Sequence, residues 1–185
     1  MARLFIALEL SDRQKDEVSA LQQKFKNSMP EVRWVRREGV HLTLKFLGEI
    51  DAKRIEQIKA AMDEAAFSVD KFEVSFGCSG IFPSPRKARV FWLGVTDGEA
   101  DVRKLAEKTD KALSGYGFEP EQRRFKPHLT IGRARGSVRE ESVEYFIRQG
   151  ESFQTGTVKV ESVVLFESKL TSQGAIHTPR YKASL

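Results

Sequence analysis

The chain has 185 residues, with 31 Lys and Arg against 26 Asp and Glu and a formal net charge of +5 at neutral pH. With 40% hydrophobic and 31% charged residues, it has the composition of one globular domain, or of two small lobes sharing a core, and not that of a disordered or fibrous chain. No apolar run approaches the roughly 18 residues of a membrane helix, and the single cysteine, Cys78, excludes an internal disulfide and a multi-cysteine zinc site.

The first apolar run, Leu4-Phe5-Ile6-Ala7-Leu8, is too short for a signal segment and is cut off by Glu9, Ser11 and Asp12. It reads as a buried strand of a cytoplasmic protein, with no membrane partner. Ser11-Asp12 offers helix-capping chemistry, and Val18, Leu21 and Phe25 form an apolar stripe behind it. His41-Leu42-Thr43-Leu44 is then a strand, 53–66 a helical window and 72–78 an alternating strand. Pro83 and Pro85 favour extended or turning backbone over 79–86, where the chain is expected to cross between lobes.

The plan then repeats. Residues 89–95 suit a strand, Thr96-Asp97 a cap, and Val102, Leu105, Ala106, Thr109 and Leu113 a helical stripe that Gly115 and Gly117 end. His128-Leu129-Thr130-Ile131 is a second strand, 138–149 a helical window and 156–167 an alternating strand, with a short edge strand over 181–185. Two landmarks fix the repeat: Arg3-Leu4-Phe5 returns as Arg89-Val90-Phe91 after 86 residues, and His41-Leu42-Thr43-Leu44 returns as His128-Leu129-Thr130-Ile131 after 87. Short connections and the lack of a Gly-rich first turn favour α+β over a parallel α/β sheet. The expected fold is a single bilobal α+β domain over 1–185, with repeats over 1–80 and 87–167. Its two pseudo-symmetric β-α-β-α-β halves would present antiparallel sheets across a central cleft.

Residues i and i+2 of a strand share a face, so His41 pairs with Thr43, and His128 with Thr130, while Leu42, Leu44, Leu129 and Ile131 anchor the strands from behind. Two opposed imidazoles can break a phosphodiester without a metal, one taking the proton of the nucleophile and the other giving a proton to the leaving oxygen. The threonine hydroxyls suit non-bridging phosphate oxygens. Duplication of a purely structural strand is the bland alternative. A metal site is another, but it would have to recruit His177, Cys78 or a carboxylate, since threonine is a poor ligand.

The segments His41-Leu42-Thr43-Leu44-Lys45-Phe46-Leu47-Gly48 and Phe125-Lys126-Pro127-His128-Leu129-Thr130-Ile131-Gly132-Arg133 resemble the paired His-x-Thr-x signatures of the two-histidine phosphoesterase superfamily. The resemblance is closest to the RNA 2′,3′-cyclic phosphodiesterases, also called 2′-5′ RNA ligases, and it covers nearly the whole chain. It implies a bilobal fold and metal- and cofactor-independent hydrolysis of RNA 2′,3′-cyclic phosphate ends, or of small cyclic nucleotides, to 2′-phosphomonoesters. Some members also run a slow reversal that joins RNA. By match to the motifs, His41 would be the proton donor and His128 the proton acceptor, with Thr43 and Thr130 holding the phosphate. The segment 174–181, containing His177-Thr178-Pro179, departs from the expected pattern, and His177 reads as an exposed loop residue without a role.

Arg133 would point away from His128 by strict alternation, but Gly132 permits a break in the pleat that could return it to the phosphate. Lys45 shares the His41 and Thr43 face by parity and could approach a phosphate. Trp34, Phe46, Trp92 and Phe125 could stack on bases, although core packing is the commoner use. Mapped along the chain, charge concentrates beside the motifs, at +2 over 31–48 and +5 over 121–139 against −2 elsewhere, as an anionic RNA substrate would favour. A nucleotide- or RNA-binding module with little turnover, or a phosphodiesterase for another cyclic nucleotide, are the competing readings. A monomer is expected, because one chain supplies both motifs.

Overall fold

The computed structural model describes residues 1–172 and 174–185. In chain order the strands are β1 (Ala2–Glu9), β2 (Val32–Trp34), β3 (His41–Ile50), β4 (Phe72–Phe82), β5 (Val90–Asp97), β6 (His128–Ala134), β7 (Val158–Val160), β8 (Ser162–Thr171) and β9 (Gly174–Ser184). The helices are α1 (Asp12–Gln23), α2 (Ile55–Phe67), α3 (Glu99–Gly115) and α4 (Glu140–Glu151). All strand pairings are antiparallel, in the order β7-β4-β5-β6-β3-β1-β8-β9, with β2 added beside β6. No helix among the described residues is long and apolar enough to cross a membrane.

The sheet has two wings, β7-β4-β5-β6 and β3-β1-β8-β9, joined where Leu42 of β3 pairs with Leu129 of β6. Those leucines hold equivalent places in the two copies, so the pseudo-twofold axis passes between them. One continuous core, including Leu4, Ile6, Leu8, Leu42, Phe91, Leu129 and Leu165, fills the helix side of both wings. A smaller cluster, Phe5, Ala7, Val164 and Phe166, covers the opposite face of one wing. Buried on both faces, β1 is for that reason an unbroken apolar run.

The elements of each copy are shared between the wings. Helix α1 follows β1 yet packs under the other wing: Gln14 donates to the carbonyls of Val74 and Gly156 at 3.2 and 3.0 Å, and Gln22 donates to those of Val35 and Ile131, both at 2.9 Å. Helix α3 follows β5 and packs beside β3 and α2. Strand β4 leaves its own copy to pair with β5, and β8 leaves its own to pair with β1.

Several sequence expectations are corrected here. The segment 79–86 is no crossing: β4 continues to Phe82 and forms a hairpin with β5, Phe82 opposite Val90, so the chain has already changed wings between α2 and β4. The strand expected over 156–167 is split into β7 and β8, and the last strand starts at Gly174. Strand β2 was not anticipated. Ser11 does cap α1, in a reciprocal box with Gln14. Thr96 and Asp97 do not cap α3, which starts from Gly98 at φ +78°.

Candidate active site

The two His-Leu-Thr strands meet at the pseudo-axis, and the Leu42 to Leu129 pairing sets His41 and Thr43 beside His128 and Thr130. All four polar side chains are half-buried, whereas Leu42, Leu129 and Ile131 are buried in the core behind them. The two imidazoles are held alike. His41 Nδ1 lies 2.8 Å from the carbonyl of Gly39, and His128 Nδ1 lies 2.6 Å from that of Lys126, each two residues back along the chain. A carbonyl can only accept, so each neutral ring carries its proton on Nδ1 and leaves Nε2 for chemistry.

Their surroundings differ. The His41 ring packs on Phe5, with centroids 4.7 Å apart, and edge-on against His177 at 5.0 Å. His128 meets Phe82 edge-on at 5.1 Å and Trp92 at 6.2 Å. Burial pushes the His41 pKa down to about 4, reinforced by the neighbouring His177 and Arg133 and opposed by the Gly39 hydrogen bond. His177 is lowered as well, by burial.

A bulge follows each motif and decides what comes next. Opposite β1, Ala7 pairs with Thr43 but Ile6 with Lys45, so Leu44 is skipped; opposite β5, Trp92 pairs with Thr130 but Phe91 with Gly132, so Ile131 is skipped. Parity therefore reverses after both motifs. Arg133 comes back to the histidine face, exposed and near enough to bias His41. The same reversal corrects the expectation for Lys45, which turns to the helix side. Its side chain is 7% exposed, and its ammonium is bound by the Asp110 carboxylate and, at 2.7 Å, by the carbonyl of Glu119. It lines a separate cavity of about 270 Å³ with Arg103, Asp110 and Arg123, on the far side of β3 from the histidines.

In place of Lys45, the first motif presents Phe46, 68% exposed and 6.0 Å from Phe5. Trp92 also lines the histidine face, stacked on Phe82 at 5.0 Å. Trp34 belongs to the aromatic core with Phe25 and Phe91, and Phe125 packs against the same core. His177 is no loop residue: it sits in β9 opposite Ser168 and faces His41. Its place was hidden because the final strand extends well before residue 181. Arg33, one of the cations counted in the 31–48 window, lies opposite Arg133 in the β2–β6 ladder. Cys78 is exposed and free, and among the described residues no three His, Cys, Asp or Glu side chains gather as a metal site.

Comparison with known proteins agrees with the fold. The model of the family described as LigT-like phosphoesterase matches residues 8–92 and again 93–177. The chain is 34% identical over 176 residues to an RNA 2′,3′-cyclic phosphodiesterase of Methanothermobacter thermautotrophicus, covering 95% of each chain. Among solved structures, a protein of Thermus thermophilus superposes with a TM-score of 0.81 at 23% identity, over 99% of this chain and 97% of that one. Escherichia coli LigT in complex with 3′-AMP superposes at 0.77 with 22% identity, over 100% and 98%.

Proposed function

The chain belongs to the LigT-like phosphoesterase family, and from that membership we propose that it hydrolyses 2′,3′-cyclic phosphodiester ends of RNA to 2′-phosphomonoesters by two-histidine acid–base catalysis. The observation that carries the reading is the twofold equivalence of His41 and His128, each with Nδ1 tied to a carbonyl two residues back. In the forward reaction water attacks phosphorus and the bond to the 3′ oxygen breaks. His128 Nε2 takes the proton of the attacking water, and His41 gives its proton to the departing oxygen. Thr43 and Thr130 donate to the non-bridging oxygens, and Arg133 balances their growing charge. Joining of RNA ends by the reverse reaction follows from the same groups. The reading includes action as a cytoplasmic monomer, since one chain provides both motifs.

The pKa of His41, lowered to about 4, bears on the roles. As donor, His41 must gain its proton together with the anionic substrate, whose charge would offset Arg133 and His177. The same observation favours a second assignment, with neutral His41 as base and His128 as acid. A 2′,3′-cyclic substrate whose 3′ oxygen is replaced by sulfur separates them, because a thiolate leaves without a proton. His41→Ala and His128→Ala should each cut turnover of the oxygen substrate by about 100-fold or more. The sulfur substrate should restore the His41 variant alone; rescue of the His128 variant instead would reverse the roles. Full turnover of the oxygen substrate by either variant would remove the mechanism.

A further inference from the structure

We propose that His177 is a positioning residue for His41, a third histidine that holds the His41 imidazole in its working orientation from the β9 side of the cleft; this rests on the two-histidine reading above. Strand register places it there. Phe5 pairs with Phe166, Phe166 with Pro179, and Ser168 with His177, so these side chains line one face of the β1-β8-β9 ladder.

The rings then form a corner. His177 stands edge-on to His41 at 5.0 Å and 85°, and edge-on to Phe5 at 4.9 Å and 81°. Phe5 lies against His41 at 4.7 Å and 31°. His41 is thus confined by a tilted ring on one side and a perpendicular ring on another, with Nδ1 pinned by Gly39. Aromatic pairs favour such edge-to-face contacts. The contact holds His41 through its shape and needs no proton exchange.

Comparison within the molecule singles His177 out. His128, the twofold mate of His41, has the same kind of edge-on partner at 5.1 Å and 86°, and that partner is the phenyl ring of Phe82. Both histidines are therefore braced by a perpendicular aromatic ring from a strand farther out in the same wing, Phe82 from β4 and His177 from β9. Among the described residues, His177 Nδ1 is buried without a hydrogen-bond partner, so this nitrogen serves no network. The ring is present for its packing, as Phe82 is in the other copy.

The test is the pair His177→Ala and His177→Phe, assayed on 2′,3′-cyclic AMP and checked for folding by thermal unfolding. His177→Ala should lower kcat by about ten-fold with KM changed less than about two-fold, because a mis-set imidazole is a transition-state defect. His177→Phe, which restores the edge without the nitrogens, should recover kcat to within about three-fold of the natural protein. An unchanged kcat in His177→Ala, or a His177→Phe as impaired as His177→Ala, would overturn the proposal. His41→Ala and His128→Ala are run in parallel. If those two keep full turnover, the two-histidine reading itself has failed; if they lose it while His177→Ala does not, only the role of His177 has.

Discussion

At the scale of the residue, one parity reversal separates two cations that the sequence treats alike. Arg133 and Lys45 each lie shortly after a His-x-Thr strand, and alternation alone sends Arg133 away from the site and Lys45 into it. The bulges invert both assignments. Gly132 stands beside the second bulge, where the β2 strand also packs close: a Cβ there would lie 2.8 Å from the Val32 side chain. Nothing of the kind marks Leu44-Lys45, and only the repeat carries the information: the position equivalent to Gly132 is Lys45, and the one equivalent to Arg133 is Phe46. Lys45 is a structural cation by this geometry. Lys45→Met should cost about 2–3 kcal/mol in urea unfolding, less than the 3–5 typical of a fully buried pair because Asp110 is 26% exposed. Its kcat/KM should stay within about two-fold; a large loss of kcat/KM at unchanged stability would return Lys45 to the substrate.

His41 gives a second expectation at this scale, in stability and not in rate. Its pKa falls from 6.5 to about 4 on folding, chiefly through burial. The native state therefore resists a proton that the unfolded chain accepts. The stabilising contribution is whole above pH 6.5, declines as the pH falls, and is gone near pH 4. A shift of that size corresponds to about 3 kcal/mol. Urea titrations at pH 7 and pH 4.5 should show the natural protein losing about 2–3 kcal/mol more than His41→Phe, which keeps an aromatic ring against Phe5. Equal losses in the two proteins would refute the shift.

At the scale of the element, propensity and capping chemistry locate the helices α1 to α4 but not the start of α3. Thr96 and Asp97 have the right chemistry for a cap, yet their side chains are engaged elsewhere. Ser75 Oγ bonds both, and Gln154 donates to Asp97 Oδ2 at 2.9 Å, which ties β5 to β4 and to the segment before β7. Tertiary bonding has displaced the local cap. Gly98 makes the turn instead, at φ +78°, and a Cβ there would lie 2.1 Å from the Glu73 carbonyl oxygen. Gly98→Ala therefore combines left-handed strain with a backbone clash and should lose about 2–4 kcal/mol. Gly115, at the other end of the same helix, has nothing within 4 Å of its virtual Cβ and no positive φ. Gly115→Ala should be neutral or stabilising by up to about 1 kcal/mol. Urea midpoints compare the two, and a Gly98→Ala as mild as Gly115→Ala would remove the argument.

At the scale of the whole molecule, the repeat that made the site legible conceals how the chain is assembled. Offsets of 86 and 87 residues show that two copies exist, but equivalence says nothing about which copy an element packs on. Here α1 lies under the wing containing β4 and β6, α3 lies beside β3, and the final strands of the copies are traded. A fragment over 1–88 would keep β1 and β3 but leave α1 without a sheet and β4 without β5 or β7. A fragment over 89–185 would hold β5 and β6 without β4, and β8 without β1. Neither closes a core, since the core is continuous across both wings. We therefore expect the intact chain to unfold in one cooperative transition despite its duplicated sequence. Each fragment alone should show collapsed amide dispersion in NMR spectra, and mixing the two should restore both the dispersed spectrum and cyclic phosphodiesterase activity. A fragment that folds cooperatively by itself would show that the exchanged elements are not what holds His41 against His128.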